Sequence, residues 1–383
     1  MRVIVVGGGV AGLTVAALLG RTGGHSVTVL ERIAGYGDVG YGLGLYPLGG
    51  AVFNALGVSA QVQERSCALE TYRVCGPSGQ TLQEVSLRDL LAPYGQMRGI
   101  SRSDVLAILA SKVPDGSLHL GVECTGVRAS DAGVVVSTRD GAEHEGDAVV
   151  LADGMHSRLR ESLFGQVKEH DTGFDAWMWW APLGEFDPTL VTEYWGPTAF
   201  VGVYPARDAL NVAVGIPRRL SPDSSMSADL VLGRLRELVS EHNPVGAALD
   251  VWSLAAGVPF PWRLADVRAP ALTALGDRVA LVGDSGVGFL PTAGVGASNA
   301  MRSAAALAYE LSLADARSAP AAIARWNTRV RDLVRGNQED SRKLAKAMLV
   351  EHKTTSRVID AVMKHMPITM MTKSIVRSME APF

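Results

Sequence analysis

The pattern of apolar and polar residues changes its period along the chain. Residues 3–6 form an unbroken run of β-branched residues, short enough for a buried strand, and residues 13–19 then carry apolar residues at helical spacing. A second short apolar run follows at residues 27–30. Strand, helix and strand in this order are typical of a parallel sheet covered by helices. The pattern therefore predicts an α/β domain at the start of the chain.

Further along, strand patterns follow one another with few helices between them. The pattern predicts strands at residues 71–75, 80–85, 118–123, 134–138, 142–145, 148–151, 176–181, 191–195, 199–204, 210–215 and 250–254. Between residues 171 and 265 the one clear helix is at residues 227–240. Consecutive strands favour an antiparallel sheet and hence a separate domain. A sheet-core strand at 278–282, an Ala-rich helix to about residue 313 and a helical tail follow.

The first strand runs into a glycine motif in which Gly7, Gly9 and Gly12 precede or open the first helix. A helix N-terminus has unpaired amides and a partial positive charge, so it attracts phosphate. Gly9 would let the backbone approach a pyrophosphate, and Gly12 would let the helix lie close to the strand. Glu31 ends the second strand, about 20 residues past the glycines, where a carboxylate can accept hydrogen bonds from a ribose. These features predict a dinucleotide site.

Composition narrows the class of protein. The chain has 383 residues, enough for two or three domains, and a net charge of −3 without a basic stripe, which argues against a nucleic-acid partner. The 3 cysteines lack metal-ligand spacing, so we predict reduced thiols and no metal site. No run of about 20 apolar residues is present, and residues 1–20 hold the phosphate-binding glycines, so we expect a cytoplasmic protein without a transmembrane segment.

Two more motifs follow the glycines in a fixed order. One is Asp153-Gly154-x-x-Ser157-x-x-Arg160, and the other is Gly283-Asp284 followed by Pro291 and Gly294-Val295-Gly296. With these three motifs the sequence resembles the single-component FAD-dependent aromatic hydroxylases of the p-hydroxybenzoate and salicylate hydroxylase type, over nearly its whole length. The resemblance implies an α/β fold, in which a Rossmann-like FAD-binding domain of the glutathione-reductase type is interleaved with an antiparallel-sheet substrate domain and followed by a C-terminal helical segment.

The resemblance also implies which residues form each domain and which hold the cofactor. The domains would be an FAD-binding domain from residues 1–70, 98–166 and 268–330, a substrate domain from 71–97 and 167–267, and C-terminal helices from 331–383. On the adenosine side, Gly7, Gly9 and Gly12 would hold the FAD pyrophosphate, Glu31 would bind the adenosine ribose, and Arg32 would lie near the adenine. Arg102 would reach the FAD, and Asp153 and Gly154 would serve both FAD and NAD(P)H. On the flavin side, Asp284 would bind the ribityl chain, and a helix N-terminus would be placed at the flavin pyrimidine edge by Pro291, Gly294, Val295 and Gly296.

The chain departs from the family pattern at side chains rather than at glycines. The family usually has Ala-Ala-His after its Gly-Asp, and here the residues are Ser285, Gly286 and Val287. The usual Gly-Gln-Gly is Gly-Val-Gly, with Val295 at its centre. FAD binding through the backbone is still expected, whereas a histidine-dependent step is not.

The reaction that the resemblance implies is hydroxylation of a bulky hydrophobic or aromatic small molecule. NADPH or NADH would act as transient reductant of FAD, and O2 would react to a flavin C4a-hydroperoxide. Two alternatives stay open. One is a flavin-dependent reductase or dehydrogenase without oxygen insertion, and the other is a flavin-binding protein without turnover.

No residue stands out as a catalytic base. The candidates are His156, inside the second motif, Asp38 in a glycine-rich loop, and Glu193 on a predicted strand. Aromatic residues of the predicted sheet suggest a pocket for a bulky apolar substrate, and the candidates are Trp177, Trp179, Tyr194, Phe200 and Tyr204. The Met-rich tail is expected to brace the two domains, with a lid or a membrane-touching helix as alternatives.

Overall fold

The computed structural model describes residues 1–37, 40–253, 255–366, 376–377 and 379–380. The strands are β1 Arg2–Val6, β2 Ser26–Glu31, β3 Gly42–Leu45, β4 Ser66–Leu69, β5 Thr71–Cys75, β6 Thr81–Ser86, β7 Met97–Ser101, β8 Leu118–Leu120, β9 Cys124–Ser130, β10 Gly133–Thr138, β11 Glu143–Gly146, β12 Ala148–Leu151, β13 His170–Pro182, β14 Leu190–Trp195, β15 Phe200–Ala206, β16 Ala209–Pro217, β17 Ala256–Asp266, β18 Thr273–Ala274 and β19 Val279–Leu281. The α-helices are α1 Val10–Thr22, α2 Pro47–Leu56, α3 Ser59–Glu64, α4 Leu87–Leu91, α5 Arg102–Ala110, α6 Arg158–Phe164, α7 Ala228–His242, α8 Pro244–Ala247, α9 Gly296–Ser312, α10 Ala319–Met348 and α11 Lys353–His365. Short 3-10 turns lie at Arg218–Leu220, Asp250–Trp252, Gly283–Ser285 and Pro291–Ala293.

A six-stranded sheet in the order β18-β19-β12-β1-β2-β8 carries the nucleotide fold. Its strands are parallel except for β18, which pairs antiparallel with β19. The central strand β1 is buried on both faces, because α1, α5 and α9 share one hydrophobic core on one side and strands β10 and β12 contribute to a second core on the other. All three sequence motifs begin where β1, β12 or β19 ends, so they meet at one edge of this sheet.

A seven-stranded sheet in the order β17-β13-β16-β15-β14-β5-β6 forms the second layer. It is antiparallel except for the parallel pair of β14 and β5. Both faces of this sheet are apolar: one packs against α7, and the other faces Tyr41, Val295 and the ends of α10 and α11. We call the second of these the inner face. The predicted fold class, with an antiparallel sheet interleaved into a Rossmann-like domain and a helical C-terminal segment, is confirmed.

One predicted strand is wrong. Residues 250–254 were expected to be extended, but Asp250–Trp252 is a 3-10 turn and the next strand begins at Ala256; residue 254 lies outside the described residues. The apolar side chains of Val251 and Trp252 are buried in the core under α7, and the Trp252 indole donates to the Gly246 carbonyl at 3.0 Å. An apolar run of this length satisfies a buried turn as well as a strand.

Candidate active site

The first glycine turn has the geometry of a phosphate cradle. Gly7 has a φ of +103°, and a Cβ at Gly12 would lie 1.9 Å from the Gly7 carbonyl oxygen, so α1 can start this close to β1 only with glycine there. A Cβ at Gly9 would meet nothing within 4 Å. No side chain caps the N-terminus of α1, and its first turn has no acidic residue. The amides of α1 therefore face open space at Gly9.

Glu31 lies beside this turn, where the sequence predicted it. Its carboxylate accepts hydrogen bonds from the Gly8 amide at 2.6 Å and from the Ile33 amide at 2.9 Å. The Tyr36 hydroxyl donates to the Gly8 carbonyl at 2.7 Å. Burial and the neighbouring Glu31 raise the pKa of Tyr36 to about 12. Tyr36 thus adjoins the glycine turn, and the sequence motifs gave no signal for it.

Asp153 follows β12 and leaves one carboxylate oxygen without a partner. Its Oδ2 accepts from the Ser157 hydroxyl at 2.7 Å, whereas Oδ1 is buried and has no hydrogen-bond partner. Burial raises the pKa of Asp153, and the Ser157 hydrogen bond and the charge of Arg32 oppose that shift. Gly154 has a φ of +86°, which turns the chain away after the aspartate. A buried acceptor of this kind is expected to receive a donor from a ligand or from water.

The Asp284 turn lies against the other two. The Val282 amide donates to the Leu151 carbonyl at 2.9 Å, and a Cβ at Gly283 would lie 3.0 Å from Cβ of Ala11 on α1. Burial raises the pKa of Asp284 to about 6, and the charge of Arg102 opposes the shift. The three motifs, which are up to about 280 residues apart in sequence, thus converge at one sheet edge.

Arg160 connects the second turn to the third. This arginine is buried, and its guanidinium donates to the Ser285 carbonyl at 3.2 Å and to the Met155 carbonyl at 2.8 Å. Its own helix, α6, is capped by the Ser157 side chain, which accepts from the Arg160 amide at 3.0 Å. The arginine of the motif therefore positions two turns relative to each other.

Arg102 opens α5 beside the same edge. Its amide donates to the Tyr41 carbonyl at 3.0 Å, and its guanidinium lowers the pKa values of Tyr36, Tyr41 and Asp284 by its positive charge. Burial outweighs that effect at Tyr41 and raises its pKa to about 12. Arg102 is thus a cation close enough to Asp284 for its charge to act on that carboxyl.

The N-terminus of α9 is the last element of the candidate site. It follows the turn Pro291–Ala293 and Gly294, whose φ of +61° suits glycine, and the helix begins at Gly296 after Val295 without a side-chain cap. The Tyr46 hydroxyl donates to the Ala293 carbonyl at 3.4 Å. Backbone amides and the positive end of a helix dipole are therefore available here for an anionic ring edge.

These residues fit FAD. The observations that favour it are the open space over Gly9, the two uncapped helix N-termini and the unpartnered Oδ1 of Asp153. Phosphates suit the first helix, the partial negative charge of a flavin pyrimidine suits the second, and hydroxyl donors suit the carboxylates.

The inner face carries only part of the predicted substrate pocket. Phe200 and Tyr204 lie on it. Trp177, Trp179 and Tyr194 do not: the two tryptophans are fully buried in the core under α7, and Tyr194 packs against that core. Strand alternation places residues of opposite parity on opposite faces. Because both faces are apolar, the sequence could not tell which parity faces the cofactor.

Other aromatic residues, which the sequence analysis did not name, lie on the inner face. The Trp180 indole donates to the Gly40 carbonyl at 2.6 Å, and the rings of Tyr41 and Trp262 make an edge-to-face contact with centroids 4.6 Å apart. These contacts join the seven-stranded sheet to the loop that leads into β3. The inner face is therefore the surface that a substrate beside FAD would contact.

Glu193 is the one carboxylate named in the sequence analysis that lies on the inner face. It is 4% exposed, and it accepts hydrogen bonds from the Tyr72 hydroxyl at 2.7 Å, the Trp195 indole at 2.8 Å and the Tyr204 hydroxyl at 2.8 Å. Burial raises its pKa, and these three donors oppose the shift. We call Glu193, Tyr72, Trp195 and Tyr204 the Glu193 network.

The other base candidates are elsewhere. The His156 side chain is 80% exposed, and its Nδ1 lies 3.7 Å from Glu169 on the surface. Asp38 lies outside the described residues. Within the part of the chain that the structure describes, no group of acidic, histidine and cysteine side chains could hold a metal ion.

Comparison with known proteins decides the family. A family model described as an FAD binding domain matches residues 1–237, more than half of the chain. The chain belongs to this FAD-binding family. FAD is therefore its cofactor.

Relatives of the FAD-binding chain are named as monooxygenases. It is 35% identical to the FAD-dependent monooxygenase ausM of Aspergillus calidoustus, but that match covers 44% of this chain and 37% of the relative. It is 30% identical to 3-amino-4-hydroxybenzoate 2-monooxygenase PtnB3 of Streptomyces platensis, over 88% of this chain and 87% of the relative. Among solved structures, Klebsiella pneumoniae HpxO with FAD and uric acid has a similar fold, with a TM-score of 0.86 at 21% identity over 100% of this chain and 97% of that one.

Proposed function

We propose that this protein is an FAD-dependent monooxygenase that uses NADPH or NADH and O2 to hydroxylate a bulky hydrophobic or aromatic small molecule. The observation that supports it best is the convergence of the three motif turns beside the inner face. The names of the relatives add support, because PtnB3 is named for hydroxylation of an aromatic ring. FAD, when bound, would supply electron transfer and the activation of O2.

The chain's own residues would hold the cofactor and keep water away from the reaction. The amides at Gly9 would bind the pyrophosphate, Glu31 the adenosine ribose and Asp284 the ribityl hydroxyls. The amides that open α9 would stabilise negative charge on the pyrimidine ring without a proton donor. Tyr41 and Trp262 would close the apolar side of the cleft and exclude water from the reaction.

The buried Glu193 carboxylate suits a substrate that carries no negative charge at the inner face. Glu193 is the carboxylate of the inner face, and a salt bridge to it is absent among the described residues.

We also propose a reducing, cytoplasmic location without a nucleic-acid partner, which the free Cys67, Cys75 and Cys124 and the net charge of −3 support.

The test is turnover with isotopically labelled O2. Purified, FAD-loaded protein is incubated with NADPH or NADH and a panel of phenols, aryl amines and larger aromatic heterocycles, and NAD(P)H oxidation and product mass are followed. We expect at least one aromatic compound to accelerate NAD(P)H oxidation and to gain labelled oxygen. Accelerated oxidation with a changed but unlabelled product would instead support a reductase or dehydrogenase. An FAD that neither nucleotide reduces, with any compound, would contradict both enzymatic functions.

A further inference from the structure

The Glu193 network is a buried carboxylate surrounded by neutral donors. Two phenolic hydroxyls and one indole N–H point at it, from Tyr72, Tyr204 and Trp195. In the part of the chain that the structure describes, Glu193 forms no salt bridge with a lysine, arginine or histidine, since all the ion pairs there involve other carboxylates. Burying a carboxylate without a cation is costly unless hydrogen bonds satisfy it, so the arrangement of donors is specific.

The sheet is shaped to allow this arrangement. Glu193 on β14 is paired with Gly202 on β15, and a Cβ at Gly202 would lie 2.2 Å from the Tyr204 hydroxyl oxygen. The Tyr204 ring therefore lies across Gly202 to reach the carboxylate. Tyr72 reaches it from the other side, since β5 pairs with β14 and places Val74 opposite Glu193. The two tyrosines approach from both flanking strands.

The direction of these hydrogen bonds fixes what the tyrosines can offer to a ligand. A phenol has one proton, and here both protons are donated inward to Glu193. Burial and the neighbouring carboxylate raise the pKa values of Tyr72 and Tyr204 well above normal, so both phenols keep their protons at neutral pH. Only oxygen lone pairs remain on the outward side. The polar end of the inner face is thus a set of hydrogen-bond acceptors.

This acceptor set borders the cofactor cleft. Tyr72 and Tyr204 are each half-buried, so part of each residue is accessible. Both pack in one apolar cluster with Tyr46 and with Val295, which immediately precedes α9. Val295 is one of the residues expected at the flavin pyrimidine edge. A ligand lying against the flavin would therefore meet the two phenolic oxygens.

We propose that the Glu193 network determines substrate specificity: it selects aromatic substrates that present a neutral hydrogen-bond donor, such as a phenolic hydroxyl or an aryl N–H, and rejects aromatic carboxylates. A hydroxyl or N–H can donate to a tyrosine oxygen, whereas a carboxylate has no proton to give and meets a negative charge behind the phenols. This inference rests on the proposed function, because it defines the substrate class of the same cleft.

The experiment compares two probes of the same shape, 2-naphthol and 2-naphthoate. Each is titrated into FAD-loaded protein at neutral pH without NAD(P)H, and binding is followed by the flavin absorbance spectrum and by tryptophan fluorescence. We expect wild type to bind naphthol at least about tenfold more tightly than naphthoate, the difference made by one or two hydrogen bonds. Tyr72→Phe and Tyr204→Phe should each weaken naphthol binding, because each removes one acceptor oxygen.

Glu193→Gln gives the sharpest test. Its amide group would donate to one tyrosine oxygen, so that tyrosine would turn its proton outward and become a donor. We expect the preference for naphthol over naphthoate to fall by about tenfold or to reverse. Glu84→Gln on the neighbouring strand β6 is the matched control, because Glu84 is exposed and pairs with Arg73. It should leave the preference unchanged. FAD content and the circular dichroism spectrum check that each variant is folded.

Three results would overturn the inference. The first is equal or tighter binding of naphthoate by wild type, and the second is no measurable naphthol binding up to its solubility. The third is an unchanged preference in a folded Glu193→Gln variant; if that variant does not fold, unchanged naphthol binding in both tyrosine variants takes its place. The titrations need no turnover. A protein that shows the preference but never inserts labelled oxygen would contradict the proposed function alone, and a turning-over enzyme that prefers carboxylates would contradict this inference alone.

Discussion

At the scale of one residue, Asp284 is a buried carboxyl whose ionised form is unfavourable in the folded protein. Burial raises its pKa to about 6, although Arg102 lies close enough to oppose the shift. A carboxyl in such an environment holds its proton more strongly in the folded than in the unfolded chain. In the FAD-free protein an ionised Asp284 therefore destabilises the fold above that pH, and ligand hydroxyls that donate to it would reduce this destabilisation.

This predicts a pH-dependent stability difference between wild type and Asp284→Asn. The folded pKa of about 6 exceeds the ordinary value of 3.8, so the folded state binds more protons between these values and the contribution of Asp284 to stability falls as pH rises through them. The FAD-free variant should become more stable relative to wild type between about pH 4 and pH 7, as urea unfolding at several pH values would measure.

Asp171→Asn is the control with the opposite sign. Arg218 and then Arg263 donate to Asp171 and lower its pKa, so that residue stabilises the fold at neutral pH and loses this effect in acid. Its variant should lose stability relative to wild type as pH rises. A difference between Asp284→Asn and wild type that does not change with pH would contradict the assignment.

At the scale of elements, the site depends on how its turns are joined. The Asp153 turn and the Asp284 turn leave two adjacent parallel strands, β12 and β19, and strand pairing brings them side by side. Pairing alone does not fix the loops beyond the strand ends. Arg160 does, because one guanidinium satisfies carbonyls of both loops. The arginine of this motif is thus a positioning residue for the cofactor cleft.

Replacing Arg160 by Ala should lower the free energy of unfolding by about 3 kcal/mol. The change leaves the buried Ser285 carbonyl and the partly buried Met155 carbonyl without this donor, and a buried group left unpaired costs about 1–3 kcal/mol. Arg158→Ala on the same helix is the matched control, since its side chain is 84% exposed, and should change stability by less than about 0.5 kcal/mol. Chemical denaturation measures both, and equal effects of the two variants would refute the role of Arg160.

At the scale of the whole molecule, α10 holds the two sheets together. It packs against α9, which covers the six-stranded sheet, and the Trp326 indole donates to the Ser303 carbonyl at 2.9 Å. Further along, Gln338 donates to the Gly288 carbonyl at 2.6 Å, and Arg342 pairs with the fully buried Asp266 at the end of β17. The end of α10 and α11 then place Met348 and Met363 against the inner face. These contacts agree with a bracing role for the tail; its residues 367–375 lie outside the described part.

Asp266→Ala tests this brace. Removing Asp266 leaves Arg342 with Glu339 as its remaining ion-pair partner and takes away an acceptor of Gln338, and we expect a loss of about 3 kcal/mol in the free energy of unfolding. Asp332→Ala, whose exposed carboxylate pairs with the adjacent Arg331, should cost less than about 1 kcal/mol. Thermal and urea unfolding measure both. A loss at Asp266 no larger than that at Asp332 would show that the pair does not brace the molecule.

The sequence predicted the features that act through the backbone. Gly7, Gly12 and Gly294 were identified because their spacing and conformational freedom are local properties, and the structure gives Gly7 and Gly294 positive φ values. Strand and helix periods were equally local, so the α/β start of the chain and the antiparallel sheet were predicted from them, whereas the family resemblance implied how the two are interleaved. Whether each predicted residue contacts FAD stays a prediction.

Only the tertiary structure decided which side chains face the cleft. Trp177 and Trp180 lie on one strand, yet one is in the core under α7 and the other bonds to Gly40, since a single change of parity exchanges the faces. The Glu193 network forms because strands β5 and β15 bring Tyr72 and Tyr204 to Glu193 from distant parts of the chain. The sequence thus determined the turns that are expected to bind the cofactor, because their chemistry lies in short stretches of backbone. The polar end of the inner face arises from side chains that only strand pairing brings together.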